Sequence, residues 1–211
     1  MPPRPIGIVD YGLGNLASVA GAVEKLGHLP VVSSNPEELA QTDRLVLPGV
    51  GAFGDGMRFL AERDLRSALD RMVLAEKKPI LGICLGAQLL GRQSTEFGKH
   101  AGLGWVDANV TRLTPQGDGL RVPHVGWNEV LQCRGSALFA GIPDRALFYF
   151  VHSFCITDAA TEIVAGECDY GGRFPAVLDC GNVVAAQFHP EKSQTHGLAF
   201  LRNFIENLLP A

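Results

Sequence analysis

Short apolar runs alternate with segments of helical periodicity along the first half of the chain. The runs cover residues 6–10, 30–33 and 44–47, and a helical pattern fills residues 15–26 between the first two. This alternation is typical of parallel strands connected by helices. The first half therefore predicts a parallel sheet with helices on its faces.

Capping signals mark several of the predicted helices. Gly27 is placed to end the first helix. Asn35, Pro36 and Glu38 supply an N-cap, a first-turn proline and a capping-box acid for a short second helix. A longer helical stretch is predicted within residues 58–77. Near the end of the chain, helical spacing predicts a stripe that faces the core, formed by Leu198, Leu201, Ile205, Leu208 and Leu209.

The second half of the chain is richer in strand-like runs. These runs cover residues 105–113, 147–157, 162–167 and 174–187, and the last is broken by the turn sequence Asp-Cys-Gly-Asn at 179–182. Such a turn predicts a hairpin, so the strands here are expected to be partly antiparallel. His124 and Trp127 are read as part of a loop flanked by proline and glycine. We expect one α/β domain over residues 1–211, with a mostly parallel central sheet and an antiparallel C-terminal part.

Composition narrows the class of protein. The chain has 211 residues, 46% of them hydrophobic, and a net charge of −4 without a lysine or arginine run. Nucleic-acid binding is therefore not expected. No apolar stretch approaches the roughly 18 residues of a membrane span, so a cytoplasmic location is expected. The five cysteines form no Cys-x-x-Cys pair, which argues for reduced thiols and against structural zinc. We expect no metal and no cofactor.

The most informative motif is Gly-Ile-Cys-Leu-Gly at residues 82–86, between an apolar run and a helix-like segment. A buried strand that turns abruptly into a helix needs a strained residue at the turn, and flanking glycines leave room for the crossing. The helix that begins at Leu85 would aim its N–H groups at the sulfur of Cys84 and favour the thiolate. The alternative is a buried structural cysteine.

A second motif, His-Pro-Glu at 189–191, follows the strand-like run 183–188. In extended chain, residues two apart project to the same side, so His189 and Glu191 are expected to share a face. The carboxylate can then hold one imidazole nitrogen while the other accepts a proton from a thiol. A structural His–Glu pair is the alternative. Together with the Gly-Ile-Cys-Leu-Gly turn at 82–86, which we interpret as a nucleophile elbow, the motif predicts a nucleophile, base and orienting acid: Cys84, His189 and Glu191.

A third segment, Pro-Gly-Val-Gly at 48–51, follows a buried strand. Acyl chemistry on a thiol needs backbone N–H donors aimed at the developing oxyanion. We take the N–H groups of Val50 and Leu85 as that pair. Glycines on both sides of Val50 allow its peptide units to rotate between an inactive orientation and one that points an N–H at the oxyanion, so the hole can be gated. A permanently formed hole, or an ordinary turn, are the alternatives.

The opening loop suggests a different class of function. Gly-Leu-Gly-Asn-Leu-Ala at 12–17 follows a strand and matches the glycine pattern of a dinucleotide-binding module. However, the acid expected near the end of the second strand is replaced by Ser33 and Ser34. Binding of a nicotinamide or flavin would favour this alternative.

Five motifs together resemble the glutaminase subunits of imidazole glycerol phosphate synthase, within the class I glutamine amidotransferases. They are Asp-Tyr-Gly-Leu-Gly-Asn-Leu at 10–16, Leu-Pro-Gly-Val-Gly-Ala-Phe at 47–53, the elbow at 82–86, Pro-His-Val-Gly-Trp-Asn at 123–128 and Gln-Phe-His-Pro-Glu-Lys-Ser-Gln at 187–194. Ala87 departs from the methionine frequent in this family, and Phe154 from a common aromatic hydroxyl. Another glutaminase of the same class, serving a different synthase, is the nearer alternative.

The resemblance implies a flavodoxin-like fold and glutamine as substrate. It implies that the substrate is held by Gly51, Gln88 and the backbone around Ser153 and Phe154. It also implies a heterodimer with a (β/α)8-barrel cyclase that consumes the ammonia. Residues expected at the contact with the cyclase are Asn15, Trp127, Tyr149 and Lys192.

Overall fold

A computed structural model describes residues 2–117 and 119–208 of the chain. The strands are β1 Pro5–Val9, β2 Leu29–Ser33, β3 Arg44–Gly49, β4 Ile80–Cys84, β5 Gln93–Ser94, β6 His100–Ala101, β7 Asn109–Arg112, β8 His124–Gln132, β9 Ala146–His152, β10 Phe154–Thr157, β11 Val164–Asp169, β12 Arg173–Cys180 and β13 Val183–Ala186. The helices are α1 Leu16–Lys25, α2 Pro36–Ala40, α3 Phe53–Glu62, α4 Leu65–Asp70, α5 Leu85–Leu89 and α6 Gln194–Glu206. Within these described ranges, no helix is both long and apolar enough to cross a membrane.

The large sheet has the strand order β2-β1-β3-β4-β13-β12-β11-β8-β9. The pairs from β2 through β13 are parallel, whereas β13, β12, β11, β8 and β9 pair antiparallel. A smaller sheet follows the order β10-β7-β5-β6. The predicted fold class, with a parallel core and an antiparallel C-terminal part that includes the β12–β13 hairpin, is thus confirmed.

Alternating side chains of the parallel strands pack into two core layers, one on each face of the sheet. On β3, Val46 packs into the layer under α1 and α6, while Leu45 and Leu47 pack into the layer under α3, α4 and α5. Both faces of the parallel half are therefore covered, as parallel sheets require. The α6 stripe faces the first of these layers as expected, and its last predicted member, Leu209, lies outside the described residues.

Gly27 follows the end of α1 as predicted, with φ 83°. The N-cap predicted for α2 is also present, but the capping box is not. The side chain of Asn35 accepts a hydrogen bond from the Glu37 N–H at 2.8 Å. The capping-box carboxylate of Glu38 does not reach the Asn35 N–H, because the Ser33 hydroxyl lies between them. That hydroxyl accepts from the Asn35 N–H at 2.9 Å and donates to Glu38 at 2.6 Å.

The prediction of one continuous helical stretch within residues 58–77 is wrong, because the structure divides it into two helices. Asp64 adopts the left-handed conformation, with φ 55°, and separates α3 from α4. Aspartate tolerates this conformation better than most residues. The break lets Leu60 of α3 and Leu65 and Leu69 of α4 all reach the same core layer. A π-helical turn, Arg71–Ala75, then leads to β4.

Two predictions for the second half are also wrong. His124 and Trp127 lie in the nine-residue strand β8, between β11 and β9, and not in a loop. Its alternating exposure and its glycine weaken the sequence signal, and its hydrogen-bond partners come from distant segments. The run 147–157 is not one strand, because it divides at Ser153 into β9 and β10, which belong to different sheets.

The tightest backbone crossing of the fold lies where α5 begins. A Cβ on Gly86 would stand 1.7 Å from the carbonyl oxygen of Leu47, and one on Gly82 would stand 2.7 Å from the carbonyl oxygen of Gly86. Only glycine has room at these two positions. The crossing brings the first turn of α5 against the end of β3.

We expect Gly86→Ala to lower the free energy of unfolding by about 2 kcal/mol or more, because the new methyl group overlaps backbone that cannot move aside. Gly21→Ala in α1 is the matched control, since a Cβ there meets nothing within 4 Å. Within a helix that change raises stability by about 0.5–1 kcal/mol. Urea denaturation of the free chain measures both, and equal effects of the two changes would contradict the crowding argument.

Candidate active site

The strand-to-helix turn predicted at residues 82–86 is present. Cys84 ends β4 and precedes α5 with φ 53° and ψ −110°. This strained conformation for a non-glycine residue is typical of nucleophile elbows. The Cys84 side chain is 6% exposed, and it borders a cavity. All five cysteines of the chain are unpaired.

The sulfur of Cys84 has two polar neighbours besides the imidazole discussed below. Its Sγ lies 3.8 Å from the carbonyl oxygen of Val151 and 3.9 Å from Nε2 of Gln187. The Gln187 amide is completely buried. These contacts hold the side chain at the floor of the cavity.

His189 and Glu191 form a buried pair behind the cysteine. Nδ1 of His189 lies 2.8 Å from Oε1 of Glu191, and the two side chains are 2% and 1% exposed. Because the carboxylate can only accept, Nδ1 carries a proton and Nε2 is directed to other partners. Nε2 forms no hydrogen bond with the described residues.

Burial by itself lowers the pKa of His189. The nearby sulfur of Cys84 and the hydrogen-bonded carboxylate of Glu191 outweigh this effect and raise the pKa to about 9. A buried imidazolium is thus stabilised between a carboxylate and a sulfur, which is the charge distribution that a cysteine nucleophile and its base require.

The local backbone differs from the expected extended chain. Strand β13 ends at Ala186, and residues Pro190–Lys192 form a 3₁₀ turn. Glu191 therefore reaches His189 around this turn, not by strand alternation. The His189 N–H donates to the Tyr149 carbonyl at 2.9 Å, and the Ser193 hydroxyl donates to the His189 carbonyl at 2.6 Å. These bonds fix the backbone of His189 against β9.

A cavity of about 290 Å³ opens beside Cys84. This volume is at the lower end for small-molecule sites, about 300 Å³. The structure brings together here every residue predicted for the oxyanion hole and for the substrate. The lining includes Val50, Gly51, Leu85, Gln88, Ser153 and Phe154, together with Glu96, Pro123, Val151 and His152.

Two polar residues of this region were not singled out from the sequence. Glu96 lines the cavity, and its Oε2 accepts from the Phe53 N–H at 2.7 Å at the start of α3. Nothing in the sequence around Glu96 distinguishes it from a surface acid. Gln187 could have been noticed in the sequence, because it is an amide directly after an apolar strand and lies two residues before His189.

Gln88 connects the cavity wall to the floor. Its Nε2 donates to the Phe154 carbonyl at 2.8 Å and to Oε1 of Gln187 at 3.1 Å. Gln187 in turn contacts Cys84. The wall formed by residues 153–154 and the sulfur are therefore linked through two amide side chains.

The loop at residues 48–51 packs on Tyr11 and on the start of α5. A Cβ on Gly49 would stand 2.3 Å from the Tyr11 hydroxyl and 2.8 Å from the Gly86 nitrogen. Burial raises the pKa of Tyr11 far above its usual value. The Val50 side chain, by contrast, is 41% exposed at the cavity rim.

The residues predicted for a partner contact lie near the His-Pro-Glu turn. Trp127 is 44% exposed and packs edge-on against Tyr149, with ring centroids 6.0 Å apart. The Tyr149 N–H donates to the hydroxyl of Ser193, which follows Lys192. Asn15 caps α1 by accepting from Ser18, and Ser18 borders the same surface depression as Lys192.

The end of β2 does not carry the acidic residue that a dinucleotide-binding module needs there, because positions 33 and 34 are serines. The Ser33 hydroxyl at the end of β2 is engaged with Glu38, and Gly12 donates from its N–H to Asp10 at 3.0 Å. Across the residues described, no group of three or more His, Cys, Asp and Glu side chains is arranged to hold a metal ion.

Comparison with known proteins identifies the relatives. The profile of the family described as "Glutamine amidotransferase class-I" matches residues 7–208. "Imidazole glycerol phosphate synthase subunit HisH" of Moorella thermoacetica is 46% identical over 203 residues, which is 96% of this chain and 95% of that protein. The subunit of the same name from Desulfitobacterium hafniense (strain DSM 10664 / DCB-2) is 47% identical over 94% of this chain and 92% of its own length.

Solved structures agree on the fold. A structure described as "glutamine amidotransferase" superimposes with a TM-score of 0.72 at 20% identity, covering 95% of this chain and 97% of that one. The "Structure of PurLQS from Thermotoga maritima" gives a TM-score of 0.75 at 18% identity, covering 99% of this chain and 100% of that one. The family profile and the HisH relatives disfavour the dinucleotide-binding alternative.

We expect Glu191→Gln to lower the pKa of His189 from about 9, because an amide cannot stabilise the imidazolium and burial then dominates. NMR titration of the histidine side chains measures the change. Glu206→Gln is the matched control, since Glu206 pairs with the buried His28 at 3.2 Å instead.

The same change should alter how stability depends on pH. A folded-state pKa raised above 6.5 contributes stability that is complete below about pH 6.5 and is lost as the pH rises through about 9. This loss should be smaller in Glu191→Gln. An unchanged His189 titration in Glu191→Gln would show that the carboxylate does not set its protonation.

Proposed function

Because the chain belongs to the class I glutamine amidotransferases, and to the HisH family within them, we propose that it hydrolyses glutamine to glutamate and ammonia for a synthase partner. The observation that carries the proposal is the arrangement of the strained Cys84 at the cavity floor with the buried His189–Glu191 pair beside it. The neighbouring alternative, a glutaminase of the same class for another synthase, is disfavoured by the relatives.

In the proposed reaction, the sulfur of Cys84 attacks the side-chain amide carbon of glutamine. His189 accepts the thiol proton and delivers it to the departing nitrogen, so that ammonia leaves and a thioester remains. Water then attacks the thioester, with His189 as base, and glutamate is released. Glu191 keeps Nδ1 protonated and leaves Nε2 to exchange protons.

The tetrahedral oxyanion needs backbone donors, and Val50 and Leu85 are our candidates. Both line the cavity beside Cys84, and Leu85 is the first residue of α5. One such donor is worth roughly 10²–10³ in rate. We propose that the donor of Val50 is gated, because its position between glycines allows the peptide to rotate when the partner and its ligand bind.

The substrate's own charges suggest how it is oriented. We propose that Gly51, Gln88 and the backbone of Ser153 and Phe154 hold the glutamine, with the α-carboxylate against residues 153–154. The carboxylate of Glu96 lines the same cavity and is the complementary group for the α-ammonium. Free glutamine, which carries an α-carboxylate and an α-ammonium group, would then be preferred over a simple amide that lacks these two groups.

Ammonia is largely protonated in neutral water and diffuses away, so a glutaminase of a biosynthetic enzyme needs a docked consumer. We propose a heterodimer with a (β/α)8-barrel cyclase in the cytoplasm. The cyclase would add the nitrogen to a phosphorylated ribulosyl aminoimidazole carboxamide intermediate. The products would be imidazole glycerol phosphate and aminoimidazole carboxamide ribotide, in histidine biosynthesis.

Exposed apolar side chains on β8 and β9 support a docking face near the cavity. Trp127 and Tyr149 are directly opposite each other on these strands, and Val125 and Leu147 on the same face are also exposed. We place Asn15 and Lys192 at the edge of this face, because Lys192 belongs to the turn that carries Glu191 and the Tyr149 N–H donates to Ser193 directly after that turn. Aromatic residues of this kind are typical of interface centres.

We expect Cys84→Ala to reduce glutamate release by more than about 10³-fold while the fold is kept, because no other group can form the thioester. Cys84→Ser should also be inactive. Cys133→Ser, at an exposed cysteine away from the cavity, is the matched control and should keep full activity. Glutamate formation in the complex is the measurement, and substantial hydrolysis by Cys84→Ala would contradict the assignment of Cys84 as the nucleophile.

We expect glutamine turnover to rise from the free chain to the complex, and again when the acceptor ligand binds to the cyclase. Trp127→Ala should weaken association about tenfold or more and reduce the first increase, because it removes the exposed aromatic centre of the face. Association is measured by titration with the cyclase at micromolar concentration.

Leu74→Ala is the control for this experiment. Leu74 and Trp127 are both 44% exposed, but Leu74 precedes β4 at the opposite, amino end of the parallel strands. It should leave association unchanged. Equal turnover in the free chain, the complex and the liganded complex would eliminate gating, and a monodisperse monomer after mixing would rule out the heterodimer.

A further inference from the structure

Two buried histidines connect strand β8 to the wall of the cavity. His124 begins β8 and lies directly opposite His152, which ends β9. Nδ1 of His124 is 3.1 Å from Nε2 of His152, and both residues are at most 5% exposed. Neither histidine takes part in the proton transfers proposed above, so the pair needs a separate explanation.

The hydrogen-bond partners determine where the protons lie. Nδ1 of His152 is 2.9 Å from the Phe154 carbonyl, which can only accept, so this nitrogen carries a proton. Burial lowers the pKa of His152 to about 3 and that of His124 to about 4, so both rings are neutral at pH 7. Nε2 of His152 is then an acceptor, and Nδ1 of His124 must be the donor.

The His124 ring is held rigidly in this role. It stacks between Phe150 and Tyr170, with ring centroids 4.9 and 3.9 Å away. The Tyr170 hydroxyl donates to the Arg121 carbonyl at 2.9 Å, which fixes the segment before β8. A ring packed on both faces cannot rotate away from His152 without disrupting its neighbours.

The hydrogen bonds of the histidine pair lead to residues 153–154, where the chain bends from β9 of the large sheet into β10 of the small sheet. The Phe154 carbonyl accepts from both His152 and Gln88, and the Ser153 carbonyl accepts from the Leu113 N–H at 2.9 Å. Both carbonyls of the bend are therefore fixed. Because each peptide plane joins the carbonyl of one residue to the N–H of the next, the bond to the Ser153 carbonyl fixes the direction of the Phe154 N–H. The bonds to the Phe154 carbonyl anchor the far end of residues 153–154 at the cavity wall.

We propose that His152 and His124 are positioning residues for substrate binding: His152 holds the Phe154 carbonyl so that the backbone of residues 153–154 is oriented for the α-carboxylate of glutamine. His124 fixes the tautomer of His152. This inference rests on the proposed glutaminase function. It predicts a role in binding that is separable from the chemistry at Cys84.

The test compares four variants in the complex with the cyclase, with KM for glutamine and kcat measured for each. His152→Phe keeps a ring but removes the donor, and should raise KM by about 3- to 10-fold with little change in kcat. His152→Gln, whose amide lies near the former Nε2 position, should behave similarly. His152→Asn, whose amide can occupy the Nδ1 position, should recover most of the loss. His124→Phe should raise KM less.

Two further measurements separate positioning from general damage. The rate of Cys84 alkylation by iodoacetamide in the free chain, which needs no α-carboxylate site, should stay the same in the His152 variants. His28→Gln is the control for lost stability, because it breaks the buried pair with Glu206 far from the cavity. It should lower the melting temperature without changing KM.

An unchanged KM in His152→Phe would overturn the inference. So would a His152→Asn variant as impaired as His152→Phe, with KM, kcat and alkylation rate changed together, since that would indicate a purely structural role. Absence of glutamate release from the unmodified complex would overturn the proposed function itself, and this inference with it.

Discussion

The close crossing of α5 over the end of β3 is the constraint on which the rest of the site depends. With glycine at position 86, the first turn of the helix rests against the carbonyl of Leu47. This contact draws three things into one place: the strained Cys84, the N-terminal N–H groups of α5, and the loop at 48–51 that continues from β3. A helix held farther out would separate the sulfur from both candidate oxyanion donors.

The mixed sheet explains why the cavity has two kinds of wall. The carboxyl ends of the parallel strands β3 and β4 supply the nucleophile and the loop, as is usual in open α/β folds. The antiparallel strands supply the opposite wall through the bend at Ser153, and they also carry the exposed face around Trp127. The proposed docking face and the substrate wall are thus connected through strand β9.

Three buried histidines of this region behave in opposite ways for one physical reason. His189 faces a carboxylate and a sulfur, so its protonated form is stabilised in spite of burial. His124 and His152 face each other and a carbonyl, so burial lowers their pKa and keeps them neutral. Neutral rings have fixed donors and acceptors, which suits a positioning role, while a ring that gains and loses a proton suits acid–base chemistry.

Local patterns in the sequence determined the parallel strands, the elbow and its neighbouring glycines, and the His-Pro-Glu pair. Each depends on residues that are close along the chain: an apolar run, a turn with room for a crossing, or two side chains separated by one proline. The division of the long helix at Asp64 was missed because a single left-handed residue leaves the apolar periodicity almost unchanged.

The tertiary structure alone decided how the distant segments meet. Strand β8 had no clear signal because its hydrogen bonds come from β9 and β11, far away in sequence. The roles of Glu96, Gln187 and the His124–His152 pair depend on which groups lie within hydrogen-bond distance after the two sheets have packed. The packing of the two sheets determines which partners a side chain has and how deeply it is buried, and these determine its charge. A pattern of residues that are neighbours along the chain cannot predict them.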